Sequence, residues 1–591
     1  MPANTAPDTT PSAIMATDPA SNTALGHTGR SANRIMRLEQ MGSYFPTRLS
    51  FLRVLLRELA PAAGAARWHR WTMNAEGHGE AVLTVKLKER ALSLIAYTAP
   101  LDPQNRTDRV IAEAWDACFA LFDGVPTDAE IDALRAPTLV QEKGRFSDKV
   151  LVLSRANKSV RLFDHLLEEL AAGRQPDPER INATGYLMRT TAVYGNGKFG
   201  IADRGQRNGE PAQIRPFRFE MLCVYLIRDF TIALVEHVAG QRAGAARKLD
   251  PAIRQTLGIG NSTGLGMAPF LVNHPVLLHR WIAARETALA RVTQQVDATS
   301  DSRCAFLALL DRAEHHLSAW TVPDQQEQQR INALKRDFAA ARNVFRSNLD
   351  QSHPWWRVLS HAQSVSADLE EFVIPLLLEP HGALIDDLAD TMADDSAPHM
   401  DPGQSLTQLR QILEKQYDWT NATGFDAPGT MTWYVSEEKL EPRFGVDGPH
   451  FETRHRLPLD IARAVRALQT DLKHWDGEQM VAAFLARHPQ HRHTVLRVQR
   501  MARNPYGEIR DDLVSHRTRP IDMLRCKLSF FGADRFDPKS DRWTRVRLFA
   551  GAPCLSDLNP DTAADGFLSG ALAPEPKDQE LSQRVEPQVP A

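Results

Sequence analysis

Two stretches of this 591-residue chain carry side chains whose types and spacing could do chemistry. The first, "YLMRTTAVYGNGKFGIADRGQRNG" (186–209), sets Arg189, Lys198 and Arg204 among several glycines and Asn196. Arginine grips a carboxylate or phosphate bidentately, and lysine acts as a point charge or a base. The second, "GIGNSTGLGMAPFLVNHP" (258–275), has no cation. Its glycines bare backbone N–H groups of the kind that form anion-binding nests, and Gly260 is expected to use a conformation closed to β-branched residues. Asn261, Ser262 and Thr263 add neutral polar groups. One stretch brings charge and the other brings orientation, so the two are expected to meet around an organic anion. Arg189 and Arg204 would hold its charge, and Asn196, Gly260, Asn261, Ser262 and Thr263 would orient its oxygens.

Between these stretches lies "RFEMLCVYLIRDFTIALVEHVAG" (218–240), apolar nearly all round and expected at the centre of the protein. Asp229 and Glu236 are seven apart on it and share a face. A carboxylate in such a setting must be paired or have a raised pKa. With Lys198 these two are the expected proton-transfer groups, which favours lyase, isomerase or hydrolase chemistry over redox chemistry. His237 reads as a structural histidine.

Familiar motifs fail. A GxGxxG cradle needs a glycine where Thr263 stands, and what precedes it, "LDPAIRQTL", reads as a capped helix and not a strand. Gly-Lys-Ser/Thr is absent, as is a Gly-x-Ser-x-Gly elbow. "RHPQHRH" (487–493) interleaves its histidines with arginines and reads as exposed surface. No metal and no cofactor are expected. Lys439, Arg443, Arg535 and Arg542 lie in runs of paired charge that read as solvated faces or interdomain salt bridges, able also to close over a bound anion.

The elements that must position these groups are mostly helical. Residues 45–60 show helical leucine spacing, and 67–98 reads as a three-strand meander, the only strong β signal of the first half. Helices are expected at 108–124 and 154–173, and "TTAV" and "FGIA" flank Asn-Gly as a hairpin. Phe306, Leu310, Ala313, Leu317 and Trp320, then Ile331, Leu334, Phe338, Ala341 and Phe345, repeat in steps of three and four, as in packed antiparallel helices. The fold class is mainly α: a multi-helix bundle core with a small antiparallel β-meander and hairpin, plus a smaller α+β C-terminal region. The expected organisation is a disordered tail (1–32), an α+β region with the meander (33–150), a helical domain carrying the glycine-rich loops (151–392), a linker (393–405), an α+β region (406–560) and a second tail (561–591).

Composition narrows the class. Charge nearly balances at −3, without sustained like-charge blocks, so neither nucleic acid nor an anionic membrane is an expected partner. The apolar run 221–235 is too short to span a bilayer and is broken by Arg228 and Asp229. Five scattered cysteines without a CxxC suit a reducing, cytoplasmic setting. The expected partner is an anionic small molecule, and a homo-oligomer is compatible with these features. The alternative is a non-catalytic helical protein whose loops bind an effector and whose bundle mediates assembly.

Overall fold

Two nine-residue strands, β2 (Gly79–Leu87) and β3 (Arg90–Thr98), pair antiparallel along their full length and open the sheet of this protein. With β1 (Arg67–Trp71) on their outer side they form the expected meander. The computed structural model describes residues 29–44, 47–105, 115–135, 149–194, 216–261, 275–322, 325–392, 400–421, 431–435, 442–446, 458–510, 520–532, 537–540 and 543–564.

The sheet does not stop at three strands. β4 (Ala117–Asp123) and β5 (Val150–Lys158) continue it, followed by β6 (Tyr186–Tyr194) and β7 (Gly258–Asn261). β10 (Asp537–Ser540) and β11 (Trp543–Leu548) complete nine strands in the order β1-β2-β3-β4-β5-β6-β7-β11-β10. A separate pair, β8 (Met431–Val435) and β9 (Pro442–Val446), lies apart. The expectation of helix at 108–124 and 154–173 therefore fails over β4 and the start of the second stretch, where helix begins only at Phe163. The physical reason is burial on both faces. Phe119 and Leu121 belong to the main core, whereas Ala120 and Phe122 meet Ile131 and Leu134 of a small helix on the other side. A strand covered twice reads as a continuous apolar run, without the alternation that marks a strand.

The 218–240 helix is present as Pro216–Arg242, and most of its middle is fully buried. Its contacts extend to strands from β3 to β7. It connects β6 to β7, which run parallel, and parallel neighbours require a crossover of this kind. Arg228, 1% exposed, donates from this helix to the carbonyls of Arg254, Leu257, Ala552 and Pro553, fastening the approach to β7 and the segment after β11.

The glycine-rich stretch from Gly258, expected as a loop, starts as a strand, β7. Neither Gly258 nor Gly260 has a positive φ. Their lack of a side chain serves close approach instead. A Cβ at Gly258 would stand 2.7 Å from the Leu548 carbonyl oxygen, and one at Gly260 would stand 2.8 Å from the Tyr186 ring.

Beyond the sheet the chain is helix-rich, with Pro275–Thr293, Ser300–Ala319, Gln325–Asn348, Pro354–Val365 and Ala367–Leu378 packed on one another. Both apolar stripes read from 306–345 are buried. Among the described residues no helix is long and apolar enough to cross a membrane. The expected tail 1–32 needs correction at its end. Arg30 reaches Glu286, Glu370 and Glu371 at 2.7–2.9 Å, all three carboxylates being buried. A residue next to a polar, proline-rich segment carried no periodic apolar signal, yet it neutralises charge inside the helices.

Candidate functional site at the β6 and β7 strand pair

Each of the two glycine-rich stretches opens with a strand, and the two strands are neighbours. β6 finishes at Tyr194 and β7 at Asn261, and the strands are parallel, with Tyr186 opposite Gly258, Arg189 opposite Gly260 and Thr190 opposite Asn261. Both stretches thus leave the sheet from the same end. β11 is antiparallel to β7, so β11 begins at that same end. In open, mostly parallel sheets ligands bind in the crevice beyond the carboxyl ends of the strands; here β6 and β7 are the one parallel pair among the described strands.

One row of the sheet carries the polar groups. Asn157 of β5, Arg189 of β6, Gly260 of β7 and Arg547 of β11 stand opposite one another in register. Residues directly opposite point to one face, so Arg189 and Arg547 flank the bare position of Gly260. Tyr186 lays its ring over that position. Arg189 is 2% exposed. The Asn157 side-chain oxygen accepts the N–H of Asp116, and the Asp116 carboxylate accepts the N–H of Lys158, which locks the neighbouring strand ends. The Thr190 hydroxyl donates to the Gly260 carbonyl at 3.4 Å. Tyr186 and Arg547 went unnoticed in the sequence: nothing local marks two residues 361 positions apart as neighbours of one glycine.

Lys198, Asn196, Arg204, Ser262 and Thr263 lie outside the described residues, as does Arg542; Asn261 is placed by its backbone as the last residue of β7. Asp229 and Glu236 are placed elsewhere. Asp229 Oδ1 accepts the N–H of Leu555 at 3.0 Å, and burial pushes its carboxyl up to about 6. Glu236 accepts the N–H of Leu249 at 3.0 Å and is also raised by burial. Leu249 precedes the short helix leading into β7, and Arg228 beside Asp229 binds the carbonyl of Leu257, just before that strand. Both carboxylates therefore serve the end at which β7 begins. β7 spans four residues, so its other end lies about 13 Å away. His237 sits between the Trp71 indole N–H and the Met73 carbonyl, a structural histidine.

The densest buried charge lies in the helices. Glu370 and Glu371 on Ala367–Leu378 are fully buried and bind Arg30, Arg34 and Arg285. Burial alone would raise the carboxyl of Glu286, but the Arg30 guanidinium holds it below its ordinary value. Each acid has a guanidinium partner, which makes this a structural network. A polar cavity of about 350 Å³ opens beside it, with Arg34, Arg37, Glu39 and Gln363 in its wall.

Compared with protein-family models, with curated proteins and with solved structures, the chain matches none.

Proposed function

We propose that this protein binds a small organic anion, a carboxylate or a phosphate, beyond the C-terminal ends of β6 and β7, and acts on it by acid–base chemistry as a lyase, isomerase or hydrolase. The observation that carries the reading is the parallel pairing of β6 with β7, which starts both glycine-rich stretches at one end of the sheet. Cations from the first and neutral donors from the second then share a crevice. Arg189 anchors the row behind it, and Arg204, Asn196, Asn261, Ser262 and Thr263 hold the anion. Proton transfer falls to Lys198, because Asp229 and Glu236 are engaged with backbone N–H groups at the other end of β7.

The test is thermal stability across a panel of organic phosphates and carboxylates, with wild type, Lys198→Met and Asn261→Ala compared. A true ligand at a hundredfold excess over its Kd adds about 2.7 kcal/mol to the wild type, and both variants lose most of that gain. Turnover of the same ligand should vanish in Lys198→Met. A ligand that stabilises all three proteins equally binds elsewhere and overturns this assignment.

A further inference from the structure

The three-histidine stretch read from sequence as exposed surface has a partner that sequence does not show. Asp471, the penultimate residue of the helix Pro458–Leu472, brings its carboxylate Oδ2 to 2.7 Å from His491 Nε2 and 3.4 Å from His488 Nδ1. One ligand atom from each residue, all three atoms within 4.8 Å of one another, defines the cluster. We propose that Asp471, His488 and His491 bind a first-row divalent transition ion, of which zinc is the representative.

Local structure explains the convergence. The helix Val481–Arg487 ends at His488, and a 3₁₀ turn, Pro489–His491, follows it, closed by the N–H of His491 donating to the His488 carbonyl. With three residues per turn, positions i and i+3 of a 3₁₀ turn eclipse. The two imidazoles therefore project to one side, with ring centroids 6.2 Å apart. Phe484, fully buried, stacks against both rings, at 4.8 Å and 5.8 Å, within 18° of parallel. Trp475 meets His488 edge-on, and the Arg487 guanidinium lies over the Trp475 ring. The two rings are thus held in place by an aromatic wall.

Spacing and donor type fit such an ion. Bonds of 2.0–2.2 Å place adjacent ligand atoms about 3–3.5 Å apart, so the observed separations need only small side-chain rotations. Two imidazoles and one carboxylate favour zinc and its first-row neighbours over magnesium or calcium, which prefer oxygen. Asp471 and His488 are 36% and 27% exposed in their side chains, whereas His491 is 6% exposed. Coordination positions on the outer side are left to water. An ion there would clip the end of Pro458–Leu472 to the turn after Val481–Arg487.

Two contacts on His488 oppose binding: the Gln490 side-chain amide nitrogen lies 3.5 Å from Nδ1 and must turn away, and the second contact supplies a test. The Trp475 indole N–H donates to His488 Nε2 at 3.3 Å. An ion on Nδ1 moves the ring proton to Nε2, where two N–H groups then face each other. Replacing the indole with a ring that lacks the donor should therefore tighten binding.

The experiment titrates zinc into the full chain, previously stripped with a chelator and followed by calorimetry. Expected is one tight event, unaffected by millimolar magnesium or calcium. His488→Ala and His491→Ala should each weaken it by more than about tenfold, Asp471→Asn should weaken it less, and Trp475→Phe should strengthen it. Should the alanine variants fail to fold, the visible spectrum of cobalt(II) on wild type and Asp471→Asn reads the ligand set directly, and a change between them supports the site. Absence of zinc binding to the wild type, binding untouched by these substitutions, or identical cobalt spectra in wild type and Asp471→Asn overturns it. In that event the cluster is two imidazoles hydrogen-bonded to one carboxylate.

Discussion

Asp229 shows how far a single residue can be understood before the fold is known. Its place on an apolar helix implies a carboxylate that is paired or raised, and burial does push it up to about 6. Which group it meets is another matter: the N–H of Leu555 lies 326 positions away. The raised value has a consequence for stability. A carboxyl that binds its proton more tightly in the fold stabilises the protein at low pH, and that contribution is lost as pH rises from the ordinary aspartate range, near 4, through 6. Asp229→Asn keeps an oxygen for the Leu555 N–H and cannot ionise. Urea unfolding should find the variant little different from wild type at pH 4 and more stable at pH 7.5, by up to about 3 kcal/mol. No gain between the two pH values would mean that the carboxylate is solvated. Arg30 teaches the opposite lesson, since no local feature announces that it answers three buried glutamates.

Among the elements, β7 is the one whose sequence invites the wrong explanation. Four residues with two glycines suggest a turn, but the glycines make room for neighbours: the Leu548 carbonyl against Gly258 and the Tyr186 ring against Gly260. Gly260→Val should cost about 1–3 kcal/mol through overpacking, measured by denaturant unfolding. In a Tyr186→Ala background the same change should cost less, with a coupling of at least about 0.5 kcal/mol. Strict additivity would show that the ring does not cover the glycine. β4 and β5 mislead for a related reason, because strands buried on both faces lose their alternation. The central helix and the stripes of 306–345 read correctly, since a face that meets the core repeats at 3.6 residues whatever lies on it.

Across the whole molecule, described segments far apart in the sequence are joined to one another. β11 pairs with β7, the helix Pro520–Phe531 places Ser529 and Arg525 against Ser43 and Glu39, and Arg330 and Arg525 share Asp368 and Asp522. A fragment of residues 1–392 would leave β7 with an open edge and Arg228 without the carbonyls of Ala552 and Pro553. Expressed alone, it should lack a cooperative thermal transition, and co-expression with residues 400–591 should restore one. A sharp calorimetric transition for the isolated fragment would show that the first two-thirds of the chain folds without the rest.

The helix-rich character, the meander, the central helix and the apolar stripes were legible in the sequence, because each depends on residues within one or two turns or along one strand. Tertiary structure alone decided that β6 and β7 are parallel neighbours, that Asp229 and Glu236 accept the backbone N–H groups of Leu555 and Leu249, that Arg30 is an inner counter-charge and that Asp471 joins His488 and His491. Each of these joins residues at least 13 positions apart. Such pairings follow from how buried faces and buried charges are matched over the whole chain, and local periodicity holds no record of that matching.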